Sequence, residues 1–287
     1  MEKVYGILGG DNRNIKLAKL LAKENNIVYT YGLEEAEELL GISKIYNCNS
    51  VEELASSSGI IVGSIPFSKD GVNVLMPYSN QKITIKECVK KICNNNKLVV
   101  GQVSDDIYNL AKDSNLEIVD IMKCEELVIL NTIATAEGTI QVLMENTDTI
   151  LQGLSVLILG FGKVAKTLAN KLYNMQMDVT CAVRKSTDLA WISAYGYNGK
   201  NIHELSSYIG DYDIIINTIP AIVVGKKEIE KINNEALVVD LASYPGGIDI
   251  DEIKKKDIKY VWALGLPGKV APETSAKYIR QTIELYL

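Results

Sequence analysis

Val156-Leu157-Ile158-Leu159-Gly160-Phe161-Gly162-Lys163-Val164-Ala165 is the stretch that decides the fold. An apolar run ends in two glycines one residue apart, and a helical pattern begins at Lys163. In such a strand–turn–helix unit the first glycine makes the tight turn and the second lets backbone approach a pyrophosphate. A small third residue, here Ala165, lets helix and strand pack closely. The helix start offers N–H groups and a positive dipole end to phosphates. Gly160, Gly162, Lys163 and Val164 are therefore candidate cofactor contacts; the alternative is a tight turn that binds nothing.

Downstream, apolar runs at Asp178 to Val183, Tyr212 to Asn217, Ala236 to Leu241 and Tyr260 to Leu264 read as further strands of the same series. Upstream, Val4 to Leu8, Ile27 to Tyr31, Gly59 to Ile65, Lys97 to Val103 and Glu117 to Ile121 read as strands. They alternate with helical patterns at Asn12 to Asn25, Glu34 to Leu40, Thr84 to Cys93 and Ile107 to Ser114. This alternation predicts α/β architecture with two doubly wound, mostly parallel sheets, each Rossmann-like, joined by a long helix at about Thr139 to Ile150. The expected division is a substrate domain over 1–130, a linking helix over 131–150 and a dinucleotide-binding domain over 151–271. The last helix, Pro272 to Leu287, with Thr274 or Ser275 as a cap, is expected to return to the first domain.

The second strand of the later series ends in Val183-Arg184-Lys185-Ser186-Thr187. A free ribose 2′-hydroxyl calls for Asp or Glu near this place, and two cations and two hydroxyls stand there instead. Arg184 can pair bidentately with a 2′-phosphate, assisted by Lys185 or Ser186, which predicts NADP over NAD. A solvated basic turn is the alternative. Thr218, Ile219 and Pro220, then Leu241, Ala242 and Ser243, and finally Gly265, Pro267 and Gly268 follow successive strands, at the edge where ligands collect in such sheets. Each is also an ordinary turn taken singly; their convergence on one edge favours binding.

On the substrate side, Gly10, Asp11 and Arg13 follow the first strand. Arg13 is a candidate bidentate clamp for a carboxylate, or a surface helix residue; Asp11 is a substrate contact or an N-cap. Thr135, Ala136 and Gly138 read as a helix start whose N–H groups would hold a second carboxylate. Glu137 is a weak candidate for a catalytic base, or a structural helix residue. Ser243 would approach from the cofactor side. His203 lies in a polar stretch away from the strand ends and is set aside as a catalyst.

The net charge of −6, with no basic stripe carrying aromatics, argues against a nucleic-acid partner. No apolar run reaches the roughly 18 residues of a membrane span, and no secretory leader pattern is seen, so a cytoplasmic protein is expected. Cys48, Cys88, Cys93, Cys124 and Cys181 are scattered and odd in number, as free thiols in a reducing compartment would be. No metal site is expected.

Several blocks together resemble the A subunit of dipicolinate synthase from spore-forming bacteria. They are Gly9-Gly10-Asp11-x-Arg13, Thr135-Ala136-Glu137-Gly138-Thr139, Val156 to Ala165 and Ile216 to Pro220, then Asp240-Leu241-Ala242-Ser243-x-Pro245-Gly246-Gly247 and Gly265-Leu266-Pro267-Gly268-x-Val270-Ala271-Pro272-x-Thr274. The last two are far more specific than the glycine turn. Phe161 stands where the family commonly carries Leu. The resemblance implies NADP-dependent oxidation of dihydrodipicolinate, or its 4-hydroxytetrahydro precursor, to pyridine-2,6-dicarboxylate. It also implies a partner, the flavoprotein-like B subunit, and the mother-cell cytoplasm during sporulation as setting. A homo-oligomer is expected because such dehydrogenases commonly form one. Two other readings stand behind it: a different NADP enzyme acting on a cyclic or imino acid, and a non-catalytic nucleotide-binding subunit.

Overall fold

The structure, a computed structural model, describes residues 2–92 and 95–286. Cys93, which ends one expected helix, and Leu287, which ends another, lie outside the described residues. The chain forms two compact units, one from residues 1–131 with 271–287 and one from 132–270.

In the first unit the strands β1 (Val4–Leu8), β2 (Ile27–Tyr31), β3 (Ile45–Asn47), β4 (Ile60–Val62), β5 (Lys97–Val100) and β6 (Glu117–Asp120) pair in parallel in the order β3-β2-β1-β4-β5-β6. Helices α1 (Asn12–Lys23), α2 (Val51–Ser57), α3 (Ile85–Lys91) and α4 (Asp105–Asp113) connect them, and α5 (Glu125–Asn146) leads out of the unit. The inner strands read as near-continuous apolar runs because both sheet faces are covered. Tyr5, Ile7, Leu8, Ile61 and Leu98 are fully buried, each such side chain contributing about 1.5–3 kcal/mol.

The second unit repeats the plan. Its strands β7 (Ser155–Leu159), β8 (Asp178–Val183), β9 (Asn198–Asn201), β10 (Ile214–Asn217), β11 (Leu237–Asp240) and β12 (Lys259–Trp262) are parallel in the order β12-β11-β10-β7-β8-β9. Its helices are α6 (Lys163–Asn174), α7 (Ser186–Ala194), α8 (Lys226–Ile229), α9 (Ile250–Ile253) and α10 (Leu266–Val270). In each sheet the chain winds one way from its first strand and then the other way, so the switch point falls between β1 and β4, and between β7 and β10. A doubly wound sheet collects its ligand at the carboxyl ends of the strands there.

Helix α11 (Pro272–Leu285) belongs to the first unit and packs along α1, with Ala276, Ile279 and Ile283 in the same core as Ile15, Leu17 and Leu21. Pro272 opens it, and Ala271 is its N-cap without a side-chain bond; Thr274 and Ser275 lie inside the helix, which corrects their reading as caps. The residues of the expected helix over Glu34 to Leu40 form only a 3-10 turn at Glu37–Leu39. Strands β3 and β9 and helix α2 escape the sequence pattern. β9 is fully exposed and reads Asn-Gly-Lys-Asn, so an edge strand held by backbone pairing carries no apolar alternation to detect.

The largest difference concerns α5. It begins at Glu125, not near Thr139, and ends at Asn146, not Ile150. Among the described residues it is the one helix long and apolar enough to cross a bilayer by length and composition, with mean hydropathy 1.4. That corrects the expectation that no segment of the chain reaches this length. Leu127 is buried in the first unit's core, and Ala136 and Leu143 in the second unit's, while Ile129, Ile133 and Met144 on the same helix are exposed.

Candidate functional site

In the second unit β7 delivers the chain to the switch point with Val156, Leu157, Ile158 and Leu159 fully buried. Gly160 follows at φ +96°, and a Cβ there would meet Thr218 Oγ1 at 2.7 Å and Ile219 Cγ1 at 3.0 Å. Thr218 Oγ1 donates to the Leu159 carbonyl at 2.7 Å, so the β10 end is tied down against the turn. Gly160 is thus required by its own dihedral and by its neighbour. Gly162 is different. It is the N-cap of α6 at φ −77°, its Cβ position has nothing within 4 Å, and no side chain caps the helix. Ala165 is fully buried on the sheet side. An uncapped helix start beside open space at a glycine is the arrangement a pyrophosphate needs, and these residues fit one. Lys163 is exposed and Val164 half-buried at this start.

At the β8 end Arg184, Lys185 and Ser186 are all exposed, and α7 starts at Ser186 without a side-chain cap. Among the described residues no carboxylate pairs with Arg184. The turn therefore presents a guanidinium next to a second uncapped helix start.

The ends of β10 and β11 carry a buried polar network. Asn217 and Asp240 are both fully buried. Asp240 Oδ1 accepts from Asn217 Nδ2 at 2.8 Å and from the Ala242 N–H at 2.9 Å, and Oδ2 accepts from the Gly247 N–H at 2.8 Å. Asn217 Nδ2 also donates to the Ile219 carbonyl, and its Oδ1 accepts from the Ile219 N–H. Trp262 Nε1 donates to the Ala242 carbonyl at 2.8 Å. A Cβ on Gly246 would sit 2.8 Å from Asp240 Oδ2, and one on Gly247 would sit 2.2 Å from Asn217 Nδ2, so the two glycines exist to admit this network. It pins the loops of Thr218, Ile219 and Pro220 and of Leu241, Ala242 and Ser243. Neither Asn217, Asp240 nor Trp262 was among the sequence candidates. The signal was present, since Asn217 and Asp240 each end an all-apolar strand with a polar residue.

Gly265, Pro267 and Gly268 do not form one glycine loop. Gly265 turns at φ +69°, but Pro267 and Gly268 lie inside α10, and Leu266 and Gly268 are buried. The reading of all three as one glycine-rich loop is corrected accordingly: Gly268 is buried within α10, and Pro267 is half-buried in its first turn. Gly138 lies against this helix, its Cβ position 3.0 Å from Leu266 Cβ and 3.1 Å from Val270 Cγ2.

The first unit's switch point has the same topology and a different state. Gly9 and Gly10 have φ +54° and +98°, and the Gly10 N–H donates to the Leu75 carbonyl. A Cβ on Gly9 would meet Met76 Cγ at 2.5 Å, and one on Gly10 would meet the Asn14 side chain at 2.1 Å. Asp11 caps α1 through the Arg13 N–H at 3.0 Å. The N-cap position that is an open glycine at Gly162 is here Asp11, whose side chain closes the helix start, and Asn14, Leu75 and Met76 crowd the glycines before it. Of the two glycine turns, only the second unit's fits a dinucleotide.

Arg13 is buried, which corrects its reading as a surface helix residue. Its Nε and Nη2 donate to the two Asp11 oxygens at 2.9 and 2.8 Å, and Nη2 also donates to the Ile65 carbonyl. The bidentate edge that would clamp a substrate carboxylate is already engaged, so that role is corrected too. Thr135, Ala136 and Gly138 sit in the middle of α5, where helical bonding takes their N–H groups; they are not a helix start. Glu137 is exposed on the same helix and pairs with Lys171 at 2.9 Å. Ser243 is exposed at its loop, and His203 is exposed on the 3-10 turn Ile202–Ser207. No cluster of metal-ligating side chains occurs among the described residues.

Comparison with known proteins divides the chain in the same way as its topology. Residues 4–122 match the family described as the N-terminal domain of the dipicolinate synthase A subunit. Residues 131–263 match the S-adenosyl-L-homocysteine hydrolase, NAD binding domain. The dipicolinate synthase A subunit of Bacillus subtilis (strain 168) is 28% identical over 284 residues, covering 98% of this chain and 94% of that protein. Among solved structures, the dipicolinate synthase A subunit from Bacillus halodurans superposes with TM-score 0.87 at 28% identity, over 99% of this chain and 97% of that one. The dipicolinate synthase A chain from Bacillus subtilis gives 0.85 at 26% identity, over 100% and 96%.

Proposed function

This chain belongs to the family of dipicolinate synthase A subunits, and from that premise we propose that it oxidises dihydrodipicolinate, or its 4-hydroxytetrahydro form, to pyridine-2,6-dicarboxylate with NADP. The coarser role, a dehydrogenase-type subunit with a nicotinamide-dinucleotide domain, is its family's. The observation that carries the cofactor part of this reading is the contrast between the two helix starts: the second unit's is open at Gly162 and the first unit's is closed by the Asp11 cap.

When bound, the nicotinamide supplies a two-electron acceptor for the hydride that leaves a ring carbon. A proton leaves the ring with it, and a water leaves first from the hydroxylated form. Aromaticity of the product supplies much of the driving force, so the chain's task is chiefly to hold its reactants in near-attack geometry. Gly160, Gly162 and the α6 start hold the pyrophosphate. Thr218, Ile219, Leu241 and Ala242 line the approach at the strand ends, kept in register by the Asn217–Asp240 network. Ser243, exposed at the tip, is proposed to meet the substrate. Asp240 is a positioning residue, because its oxygens already accept three hydrogen bonds.

Arg184, with Lys185 and Ser186, is proposed to read the 2′-phosphate. The proposed assembly includes a B subunit, consistent with the subunit designation of the relatives, and a homo-oligomer in the mother-cell cytoplasm. Cofactor titration tests the cofactor half. The wild-type chain should bind NADP more tightly than NAD, and Arg184→Asp should lose at least tenfold in NADP affinity, about 1.4 kcal/mol, while keeping NAD. An Arg184→Asp chain with the wild-type preference would overturn the phosphate assignment.

A further inference from the structure

On the outer side of α6 a depression of about 410 Å³ is lined by Lys166, Thr167, Asn170, Lys171, Tyr195 and Tyr197. We infer that it binds a planar aromatic carboxylate, stacked on Tyr195 and ion-paired with Lys166, at a place separate from the dinucleotide cradle.

Helix geometry separates the two places. Ala165, Leu168, Ala169 and Leu172 turn to the sheet, and all four are fully buried. The α6 residues that line the depression alternate with them on the opposite face, and Tyr195 and Tyr197 come from the end of α7 and just beyond it. Its aromatic wall presents two exposed rings. Tyr195 is 49% and Trp191 54% exposed, and the two rings are stacked at 5.7 Å with 25° between planes. Tyr197 and Phe161 pack behind Tyr195 at 6.0 and 6.2 Å, which fixes the ring that a ligand would cover. Flat ligands prefer such offset stacking, and the stack is already begun by Trp191.

Charge gives the second half of the recognition. Lys171 is neutralised by Glu137 at 2.9 Å, so the pair adds no net charge to the lining. Lys166 has no carboxylate partner among the described residues; its ammonium lies over the Phe161 ring, 5.5 Å from the centroid. A cation so placed, beside an exposed ring, favours one carboxylate carried on a planar aromatic frame. Thr167 Oγ1 is occupied by Thr132 and by the Lys163 carbonyl, so it shapes the wall and leaves recognition to Lys166 and Tyr195.

Nothing in this inference requires the proposed reaction, and the experiment reads binding alone. Pyridine-2,6-dicarboxylate is titrated into the full chain saturated with NADP, following indole fluorescence, with cyclohexane-1,3-dicarboxylate as a non-planar control. Trp191 and Trp262 are the chain's two indoles, so a parallel Trp191→Phe chain identifies the reporter. A saturable change is expected with the planar acid, and its Trp191 component, the difference between wild type and Trp191→Phe, reports this site apart from Trp262 at the strand ends. Binding at least tenfold weaker is expected in Lys166→Gln and in Tyr195→Leu, with the control acid inert. No difference between wild type and Trp191→Phe, or unchanged affinity of the Trp191 component in both Lys166→Gln and Tyr195→Leu, overturns the site. A chain that binds here but forms no product from dihydrodipicolinate and NADP, alone or with a B subunit, would leave this site standing and count against the proposed reaction.

Discussion

Gly160 and Gly162 are two residues apart and answer to different constraints. At Gly160 a side chain is opposed by φ +96° and by Thr218 Oγ1 at 2.7 Å. Gly160→Ala is expected to destabilise the fold by about 1–3 kcal/mol, seen as a lower urea midpoint. At Gly162 an Ala side chain meets nothing and the backbone is extended, so Gly162→Ala should leave the midpoint within about 0.5 kcal/mol of wild type. Its cofactor affinity should nevertheless fall at least tenfold, about 1.4 kcal/mol, because the methyl occupies space assigned to phosphate. Wild-type cofactor affinity in a folded Gly162→Ala chain would contradict the cradle. Residue identity alone revealed both glycines and gave Arg184 its candidacy. It did not reveal that Arg13 is engaged by Asp11, since that depends on a side-chain direction and on the distant Ile65 carbonyl.

Elements that are buried on both faces announce themselves, and those that are not stay hidden. β7, β10 and β11 were legible as apolar runs closing on Gly or a polar residue, and with them the sheet edge that gathers the site. β9 was illegible because no side chain of it is buried, and α2 because its seven residues are too few for a helical period to emerge. The start of α5 was missed for another reason. Its residues up to Asn131 belong to one unit and those from Thr132 to the other, so no single apolar face runs along it. Misplacing that start turned Thr135 to Gly138 into a helix N-terminus. Gly138 is instead the contact point for α10. Gly138→Leu should gain about 0.8 kcal/mol in helix propensity and lose about 1–3 kcal/mol to overpacking against Leu266 and Val270. The second effect wins, and a lower urea midpoint is expected; a midpoint equal to or above wild type would mean α10 yields freely.

Across the whole molecule the two units share one strand order, and the difference between them lies in what fills the switch point. The free thiols are distributed over both. Burial pushes Cys48 up to about 11 and Cys88 and Cys181 up to about 12, from an ordinary 9.0. A raised thiol favours folding fully below its ordinary value, and that contribution is lost as pH rises through the folded one, between 9.0 and about 12. At pH 8 these three cysteines should therefore resist alkylation in the folded chain and react after denaturation, as peptide mass spectrometry would record. Rapid labelling of Cys88 or Cys181 in the folded chain would contradict the packing around them.

The helix start left open at Gly162 is proposed to serve an oxidation ending in an aromatic dicarboxylate. That role is tested most directly by an absorbance assay with freshly generated dihydrodipicolinate and either NADP or NAD, with and without a B subunit. Reduced cofactor and pyridine-2,6-dicarboxylate are expected to rise together in equal amounts, faster with NADP, and neither should form in Gly162→Val. Product formation that consumes no nicotinamide cofactor, or none under any of these conditions, would contradict it.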